Sequence, residues 1–283
     1  VNQSISQSIK MAAADDYKSF LNAAIGLAKE AGEEIKASLF NREILMTKSS
    51  TADPVTVTDR KCEDIIIGGL KKLFPDHKFI AEESHQGDRY DITDDPTWFI
   101  DPIDGTNNFV HSLSDVCVLI GLTINKEPVV GVVFNPILDE LFTAIKGKGA
   151  FLNSKKIRVS DIDDITRAAI VTEFGYDRSD EGISLILRNI KNLLLNNLQS
   201  LRSSGSCGLD MCGVACGRLD LYYEGKDENF GPKPWDVVAA SVIVTEAGGE
   251  VLDWRGVEHD CTSGRILASN GKITKQVLGI LNG

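Results

Sequence analysis

The chain has 283 residues, a hydrophobic fraction of 42%, a charged fraction of 25% and a formal net charge of −11. These values are typical of a globular protein with one large domain or two small ones. The excess of acid argues against a nucleic-acid partner, and no apolar stretch approaches the roughly 20 residues that cross a bilayer. Because the first residues lack the apolar core of a secretory signal and the six cysteines are unevenly spaced, we predict a cytoplasmic protein with free thiols.

The first half of the chain predicts two helices followed by strands. Asp15 and Asp16 can cap a helix whose apolar positions recur at helical spacing as far as Leu39. A second helix is predicted from residue 58 or 59 to 73, where a Pro-Asp turn stops it. The segment KFIAEES then predicts a strand that ends on two glutamates, and residues 98–145 predict mostly β-structure.

The second half predicts strands that alternate with helices. The predicted strands are AAIVTE, LQSLRS, DLYYE, EVLDW and RILASN, and the predicted helices cover 181–197, 208–217, 235–247 and the C-terminal end. Helices and sheets in layers, α/β or α+β, are the fold class that this pattern favours, with a possible seam near 155–165.

Three cysteines cluster at Cys207, Cys212 and Cys216. A metal or redox site is one interpretation, but the segment contains no CxxC and has no histidine nearby. We predict that these thiols pack in the core, as buried free cysteines commonly do.

Carboxylates stand in four places where a predicted strand gives way to a turn or helix. They are Glu82 with Glu83, Asp101 with Asp104, Glu224, and Asp236 after Trp235. Most acidic residues face solvent or cap helices, and that interpretation fits exposed-looking positions such as Asp94. It fits Asp101 poorly, because an unpaired buried carboxylate is costly and two close together repel.

Divalent cations with oxygen ligands relieve such repulsion, and the turn DPIDG suits them. Pro102 cannot donate to a ladder, so the chain can turn and bring Asp101 and Asp104 around one point with the carbonyl of Ile103 between them. Gly105 allows close backbone approach, and the amides that follow can hold an anion. A tight Asp-capped turn explains the same residues, so this motif alone leaves both alternatives open.

An ordered set of motifs decides between them. Asp59, Glu82-Glu83, the stretch from Asp101 to Thr106, Trp235-Asp236 and Gly248-Gly249 resemble, in order, the lithium-sensitive, magnesium-dependent phosphomonoesterases. The segments FIDPIDGT, NFVH, GVVFNP, KGKGAF, LRSSGS and WDVVAASVIVTEAGG are most similar to the inositol monophosphatase family. The resemblance extends from about residue 15 to 275. It implies an αβαβα layered sandwich and hydrolysis of inositol monophosphates by activated water, without a covalent intermediate.

The resemblance implies two to three Mg²⁺ ions and inhibition by Li⁺. The first ion is expected on Glu82, Asp101 and the carbonyl of Ile103, and the second on Asp101, Asp104 and Asp236. Glu82 is also expected to contact a more weakly bound third ion.

The resemblance also implies roles at the water and phosphate. Glu82 and Thr106 would orient the attacking water, and Asp59 would hydrogen-bond to Thr106. The phosphate would lie on the amides of Gly105 and Thr106.

On the substrate side, Glu224 resembles the carboxylate that holds the sugar hydroxyls. The substrate-binding residues that the resemblance implies are Asp104, Asn107, Gly205, Ser206, Cys207, Glu224 and Asp236. Lys48 corresponds to a lysine near the metal site, with an ordinary solvated lysine as the alternative.

Three departures from the family pattern border the substrate side. Asn107 stands where many members have threonine, Cys207 replaces a smaller residue, and the segment GKDENFGPKP at 225–234 is longer than usual. They leave the metal ligands intact and bear on substrate preference, with another sugar or polyol phosphate, or a 3′-phosphorylated nucleotide, as alternative substrates. A non-catalytic binding protein is a separate alternative from another class.

The resemblance further implies a homodimer that acts on a small phosphate monoester. We predict residues 1–14 to be an N-terminal extension, disordered or foreign to the native chain. Residues 15–283 are predicted to form one phosphatase domain with subdomains at about 15–160 and 161–283.

Overall fold

The computed structural model describes residues 2–40, 44–47, 54–87 and 90–283, with side chains for 17–40, 55–87 and 90–283. The helices are α1 (Asn2–Ser38), α2 (Val57–Leu73), α3 (Thr106–Val110), α4 (Asp180–Leu195), α5 (Cys207–Ala215), α6 (Pro234–Glu246) and α7 (Thr274–Asn282), with a 3₁₀ turn at Ile165–Arg167. The strands are β1 (Ile44–Thr47), β2 (Pro54–Thr56), β3 (Lys78–Ala81), β4 (Thr97–Asp104), β5 (Cys117–Ile124), β6 (Glu127–Asn135), β7 (Glu140–Ile145), β8 (Gly149–Leu152), β9 (Lys155–Lys156), β10 (Ala169–Thr172), β11 (Ser200–Arg202), β12 (Leu221–Glu224), β13 (Glu250–Leu252) and β14 (Ile266–Ser269).

Two large sheets alternate with three helical layers. A seven-stranded sheet has the order β3-β4-β5-β6-β7-β8-β9, and a five-stranded sheet has the order β11-β10-β12-β14-β13. Helices α1 and α2 cover the outer face of the first sheet, α5 and α6 lie between the sheets, and α4 and α7 cover the second. The predicted αβαβα sandwich is confirmed.

Strand periodicity explains how one sheet serves two cores. Val118 and Ile120 of β5 face the α1–α2 layer, whereas Cys117 and Leu119, which alternate with them, face the α5–α6 layer. Because alternate side chains of a strand point to opposite faces, a sheet buried on both sides is apolar throughout. The nearly continuous apolar sequences of β5 and β6 are a consequence of burial on both faces.

Two boundaries differ from the prediction. Helix α1 begins at Asn2 rather than at a cap on Asp15 and Asp16, because residues 2–14 contain many helix-favouring residues and neither glycine nor proline. Strands β8 and β9 extend the first sheet beyond the predicted residue 145.

Within the described ranges, none of the helices combines the length and apolarity needed to span a bilayer. The three clustered cysteines pack as predicted: Cys207 and Cys212 belong to the α5–α6 core, and Cys216 packs against it.

Candidate active site

A bulge in β4 presents the paired aspartates. Asp101 pairs with Leu119 of β5 and Asp104 pairs with Cys117, and the register shifts between the two pairs. The strand therefore continues past Asp101, where it was predicted to end, and resumes pairing at Asp104. A bulge leaves residues out of the ladder and re-aims side chains. Here it turns two carboxylates, 2% and 8% exposed, toward one cavity.

Glu82 reaches the same cavity from the neighbouring parallel strand. β3 pairs with β4 as far as Ala81, and the Glu82 amide continues the pairing by donating to the Ile100 carbonyl at 3.1 Å. The next amide, that of Glu83, donates to Glu63 Oε2 at 2.8 Å. Glu63 is 5% exposed on α2, so a buried carboxylate anchors the turn that carries Glu82.

Asp236 arrives from the first turn of α6. Pro234 is the first residue of that helix, where a missing N–H costs nothing. The Lys233 amide donates to Asp236 Oδ2 at 2.6 Å, so this oxygen caps the helix and the other oxygen is left for the cavity.

Asp104 is held through one of its two oxygens. Oδ2 accepts from Ser206 Oγ at 2.6 Å, from the Gly208 amide at 2.7 Å and from Cys117 Sγ at 3.5 Å. Ser206 and Gly208 lie at the start of α5, which ties the second half of the chain to the β4 turn. The carboxylate is thereby oriented by one oxygen, and Oδ1 is the oxygen that can meet an ion.

The electrostatics of this carboxylate group fit divalent cations. Burial raises the pKa of Asp101 well above its ordinary value, and the charges of Glu82, Asp104 and Asp236 add to the shift. Burial raises the pKa of Asp104 to about 6, against the hydrogen bonds from Ser206 and Gly208. Burial and the charges of Glu82 and Asp104 also raise the pKa of Asp236. Hard oxygen donors with uncompensated mutual repulsion are the ligand set of Mg²⁺.

These carboxylates line one cavity but are not gathered around a single point. Among the described residues, no three His, Cys, Asp or Glu side chains already lie close enough to enclose a metal ion. Side-chain rotation of the carboxylates toward a common point would complete the ligand set, and neutralisation of their charge favours that movement.

The turn after Asp104 joins the carboxylates to a short helix. Gly105 has φ +88° and precedes α3, whose first bond runs from the Phe109 amide to the Gly105 carbonyl at 2.9 Å. Thr106 Oγ donates to the Ile103 carbonyl at 3.0 Å and lies 3.5 Å from Asp59 Oδ1. The predicted contact between Thr106 and Asp59 is thus long, and the shorter hydrogen bond of the Thr106 hydroxyl is the one to the Ile103 carbonyl.

Asp59 is 1% exposed and serves first as a helix cap. Its Oδ2 accepts from the Thr56 amide at 2.8 Å and from the Thr56 hydroxyl, which closes a capping box at the start of α2. Burial raises the pKa of Asp59 to about 6, against these hydrogen bonds.

A cavity of about 510 Å³ collects most of the predicted site residues. Those that line it are Glu82, Asp101, Ile103, Asp104, Gly105, Thr106, Asn107, Gly205, Cys207, Glu224 and Asp236. Asp59 and Ser206 lie behind the wall, in contact with Thr106 and Asp104 respectively. Lys48 lies outside the described residues.

Glu224 forms the far side of the cavity, at the end of β12. Burial raises its pKa to about 8, and the charge of Glu173 adds to the shift. The Tyr222 hydroxyl donates to Glu224 Oε2 at 2.5 Å. One oxygen is therefore fixed, and the other can accept a hydroxyl from a polyol.

We expect Glu224→Gln to weaken selection among inositol phosphate isomers. The glutamine oxygen can keep the Tyr222 contact, which leaves an amide nitrogen that cannot accept a ring hydroxyl, so kcat/KM for the preferred isomer should fall about 10- to 100-fold. Hydrolysis of a simple aryl phosphate, which offers no ring hydroxyls, should stay near wild type. Glu228→Gln, at an exposed position on the same cavity wall, is the matched control. An equal loss on both substrates would make Glu224 a structural residue.

Sequence reasoning missed two acidic residues at the site, Glu173 and Asp210. Glu173 follows strand β10 in the same way that Glu82 follows β3. The search for carboxylates at the ends of predicted strands would therefore have found it. Asp210 is a single acid inside the apolar helix α5, where the sequence gives no signal beyond its apolar neighbours. Residues 228–233 form a wall of the cavity, in agreement with the expectation that the long 225–234 segment borders the substrate side.

Comparisons with known proteins agree with this geometry. The model of the inositol monophosphatase family matches residues 16–282. The chain belongs to the inositol monophosphatase family. It is 49% identical to inositol monophosphatase 2 of Solanum lycopersicum over 265 residues, 93% of this chain and 98% of that protein.

Solved structures of this family share the fold. An inositol monophosphatase from Anabaena (Nostoc) sp. PCC 7120 superposes with a TM-score of 0.80 at 35% identity, over 94% of this chain and 96% of that one. A staphylococcal inositol monophosphatase-1, solved as an inhibitory complex soaked in LiCl, superposes with a TM-score of 0.80 at 25% identity, over 94% of this chain and 96% of that one. The family and phosphatase fold expected from the motifs are confirmed.

Proposed function

We propose that this protein is a Mg²⁺-dependent phosphatase that hydrolyses inositol monophosphates to inositol and phosphate. Water attacks the phosphorus directly, without a covalent intermediate, and Li⁺ inhibits. The proposal deepens the family assignment by naming the residues that do the work.

One observation carries the proposal. Carboxylates from three separated segments, at Glu82, at Asp101 and Asp104, and at Asp236, line a single cavity beside the Gly105 turn. Their burial and mutual repulsion raise the pKa values of Asp101 and Asp236, and bound divalent cations would relieve the same repulsion. A binding protein without cations would gain nothing from this cost.

The chain's own residues divide the chemical work. Glu82, Asp101, Asp104 and Asp236 would hold Mg²⁺, which would neutralise phosphate charge and activate water for attack. Glu82 and Thr106 would orient the attacking water. The Ile103 carbonyl, which accepts from Thr106 Oγ at 3.0 Å, would hold that hydroxyl in place beside the cavity. Asp59 supports Thr106 from behind.

The phosphate and the polyol occupy opposite parts of the cavity. The phosphate would lie on the Gly105 and Thr106 amides, where the glycine lets the backbone approach closely. The polyol would lie between Glu224 and the turn at Gly205–Cys207, with Asn107, Asp104 and Asp236 at the junction. Because the fixed oxygen of Glu224 is held by Tyr222, its free oxygen is the group that can distinguish hydroxyl positions.

A phosphate-release screen tests the proposal. Inositol, galactose, fructose and 3′-nucleotide phosphates are assayed with Mg²⁺, after chelation, and with added Li⁺. We expect inositol monophosphates to be the best substrates, chelation to lower the rate at least about 100-fold, and lithium to suppress it. Activity that persists without metal would overturn the mechanism. A better rate on another sugar or nucleotide phosphate would replace the substrate assignment only.

Three further proposals accompany this function. The protein acts as a homodimer in the cytoplasm, on the strength of the family resemblance and the unpaired cysteines. Residues 15–283 form one catalytic domain with two subdomains. The seven-stranded sheet within 78–156 and the five-stranded sheet within 169–269 support this division, because each sheet is built from one continuous part of the chain.

A further inference from the structure

Glu173 holds the substrate-lining turn from below. Its Oε1 accepts from the Ser204 amide at 2.6 Å and from the Gly205 amide at 3.0 Å, and its Oε2 accepts from Ser203 Oγ at 2.7 Å. The carboxylate of Glu173 thus fixes three consecutive residues of the turn.

A second carboxyl group packs against Glu173. Asp210 is 2% exposed, and its Oδ1 accepts from Ser204 Oγ at 2.6 Å. Its Oδ2 is buried and receives no donor. The two carboxyl groups meet at Ser204, whose amide donates to Glu173 and whose hydroxyl donates to Asp210. Two carboxylates have only acceptors to offer each other, so a hydrogen bond between them requires a proton on one.

The turn that these two residues hold reaches both parts of the site. The Ser204 carbonyl accepts from Asn108 Nδ2 at 2.7 Å, and Asn108 also donates to the Asp115 carbonyl at 2.8 Å. The next residues, Gly205 and Ser206, lead directly to the hydrogen bond on Asp104 Oδ2. A displacement of the turn would therefore move the polyol contacts and disturb the orientation of Asp104.

We propose that Asp210 and Glu173 share one proton, with Asp210 as the donor, and that this acid–carboxylate pair positions the turn 203–205 for substrate. Both are positioning residues for the reaction proposed above, and the role in catalysis rests on that proposed function. The proton replaces the cation that a buried carboxylate pair otherwise needs.

The surroundings of Asp210 favour retention of this proton. Burial raises the pKa of Asp210 well above its ordinary value, and the charges of Glu173 and Glu224 add to the shift. Tyr222, which donates to Glu224, is the other titratable group that interacts with Asp210. No cationic side chain is among the principal influences on this carboxyl in the described residues. Since the folded form binds the proton tightly, the pair is intact at neutral pH and is lost as the pH rises.

Asp210→Asn separates this arrangement from a merely structural one. The amide is neutral at every pH, can donate to Glu173 with its nitrogen and can accept from Ser204 with its oxygen. We expect kcat/KM for inositol monophosphate within about threefold of wild type at neutral pH. At alkaline pH, KM should rise at least about fivefold more in the wild type than in the variant, where Glu224 still titrates but Asp210 does not, with kcat for an aryl phosphate unchanged by the substitution.

An infrared measurement tests the proton without substrate. The Mg²⁺-loaded wild type should show a protonated carboxylic acid band that disappears in Asp210→Asn. It should also disappear in Glu173→Gln, because an ionised Asp210 can then accept from the glutamine amide. If Asp210→Asn fails to fold, the presence or loss of the acid band in Glu173→Gln tests the shared proton instead.

Two results would overturn the proposal: no acid band lost in either variant, or the same alkaline rise of KM in wild type and Asp210→Asn. Failure of the wild type to hydrolyse inositol monophosphate would instead reject the proposed function. In that case the infrared comparison still tests the shared proton by itself.

Discussion

Asp104→Asn will leave the protein folded and lower phosphatase kcat at least about 1,000-fold, the upper range for loss of one charge-stabilising group. The asparagine oxygen can take the place of Oδ2 and accept from Ser206 and Gly208, whose bonds are 2.6 and 2.7 Å long in the wild type. The amide nitrogen then occupies the place of Oδ1, where it cannot ligate a cation.

The same substitution separates metal binding from folding. Folded Asp104 holds its proton up to about pH 6, whereas the unfolded group releases it near 3.8. Its ionisation therefore opposes folding as the pH rises through this window, and at pH 7 asparagine removes that cost. We expect Tm without Mg²⁺ to be unchanged or higher, and the rise of Tm on adding Mg²⁺ to be much smaller.

Asp94→Asn, at an exposed aspartate before β4, is the matched control and should keep wild-type activity and metal response. Near-normal turnover of Asp104→Asn would reject the two-metal assignment. A large loss of Tm without metal would instead mean that Asp104 is needed for the fold.

Gly105→Ala is expected to lower kcat/KM about 100-fold, since a displacement of about 1 Å in a catalytic element can have this effect. Gly105 has φ +88°, and an added Cβ would lie 2.6 Å from the Asp115 carbonyl oxygen and 3.3 Å from that of Gly205. Both neighbours are backbone atoms, so the phosphate turn itself must move. The backbone strain should also lower the free energy of unfolding by about 1–3 kcal/mol.

Gly68→Ala provides the control for the glycine substitution. Gly68 lies inside α2, and an added Cβ would meet no atom within 4 Å. Alanine there should raise stability by about 0.5–1 kcal/mol and leave activity unchanged. Wild-type kinetics in Gly105→Ala would show that the phosphate does not lie on this turn.

The parts of the fold that the sequence predicted are those where local pattern and burial agree. Strands β5 and β6 are continuous apolar runs, and α2 has a capping box between Thr56 and Asp59. The start of α1 was wrong because a good local cap at Asp15 does not end a helix that favourable residues continue. Strands β8 and β9 were missed because they are short and are defined by pairing with β7.

The site was predictable to the extent that motif order specifies it. Asp101 and Asp104 were predicted to lie together because only two residues separate them in the sequence. In the structure, the bulge in β4 brings them to the same cavity. Contacts across the sandwich, such as Gly208 to Asp104, join residues a hundred positions apart, and no local pattern encodes them. The same holds for Asp210, whose partner Glu173 is brought to it only by the packing of α5 against the five-stranded sheet.

The reach of α5 across the molecule has a consequence for biosynthesis. Chains emerge from the ribosome from the N-terminus, so Asp101 and Asp104 are exposed long before Ser206, Gly208 and Asp236 exist. A nascent chain with a finished first sheet still lacks the donors that orient Asp104 and one of its cation ligands. Phosphatase activity therefore begins only when synthesis has passed α6. A chain that ends before α5 contains Asp101 and Asp104 but lacks Ser206, Gly208 and Asp236.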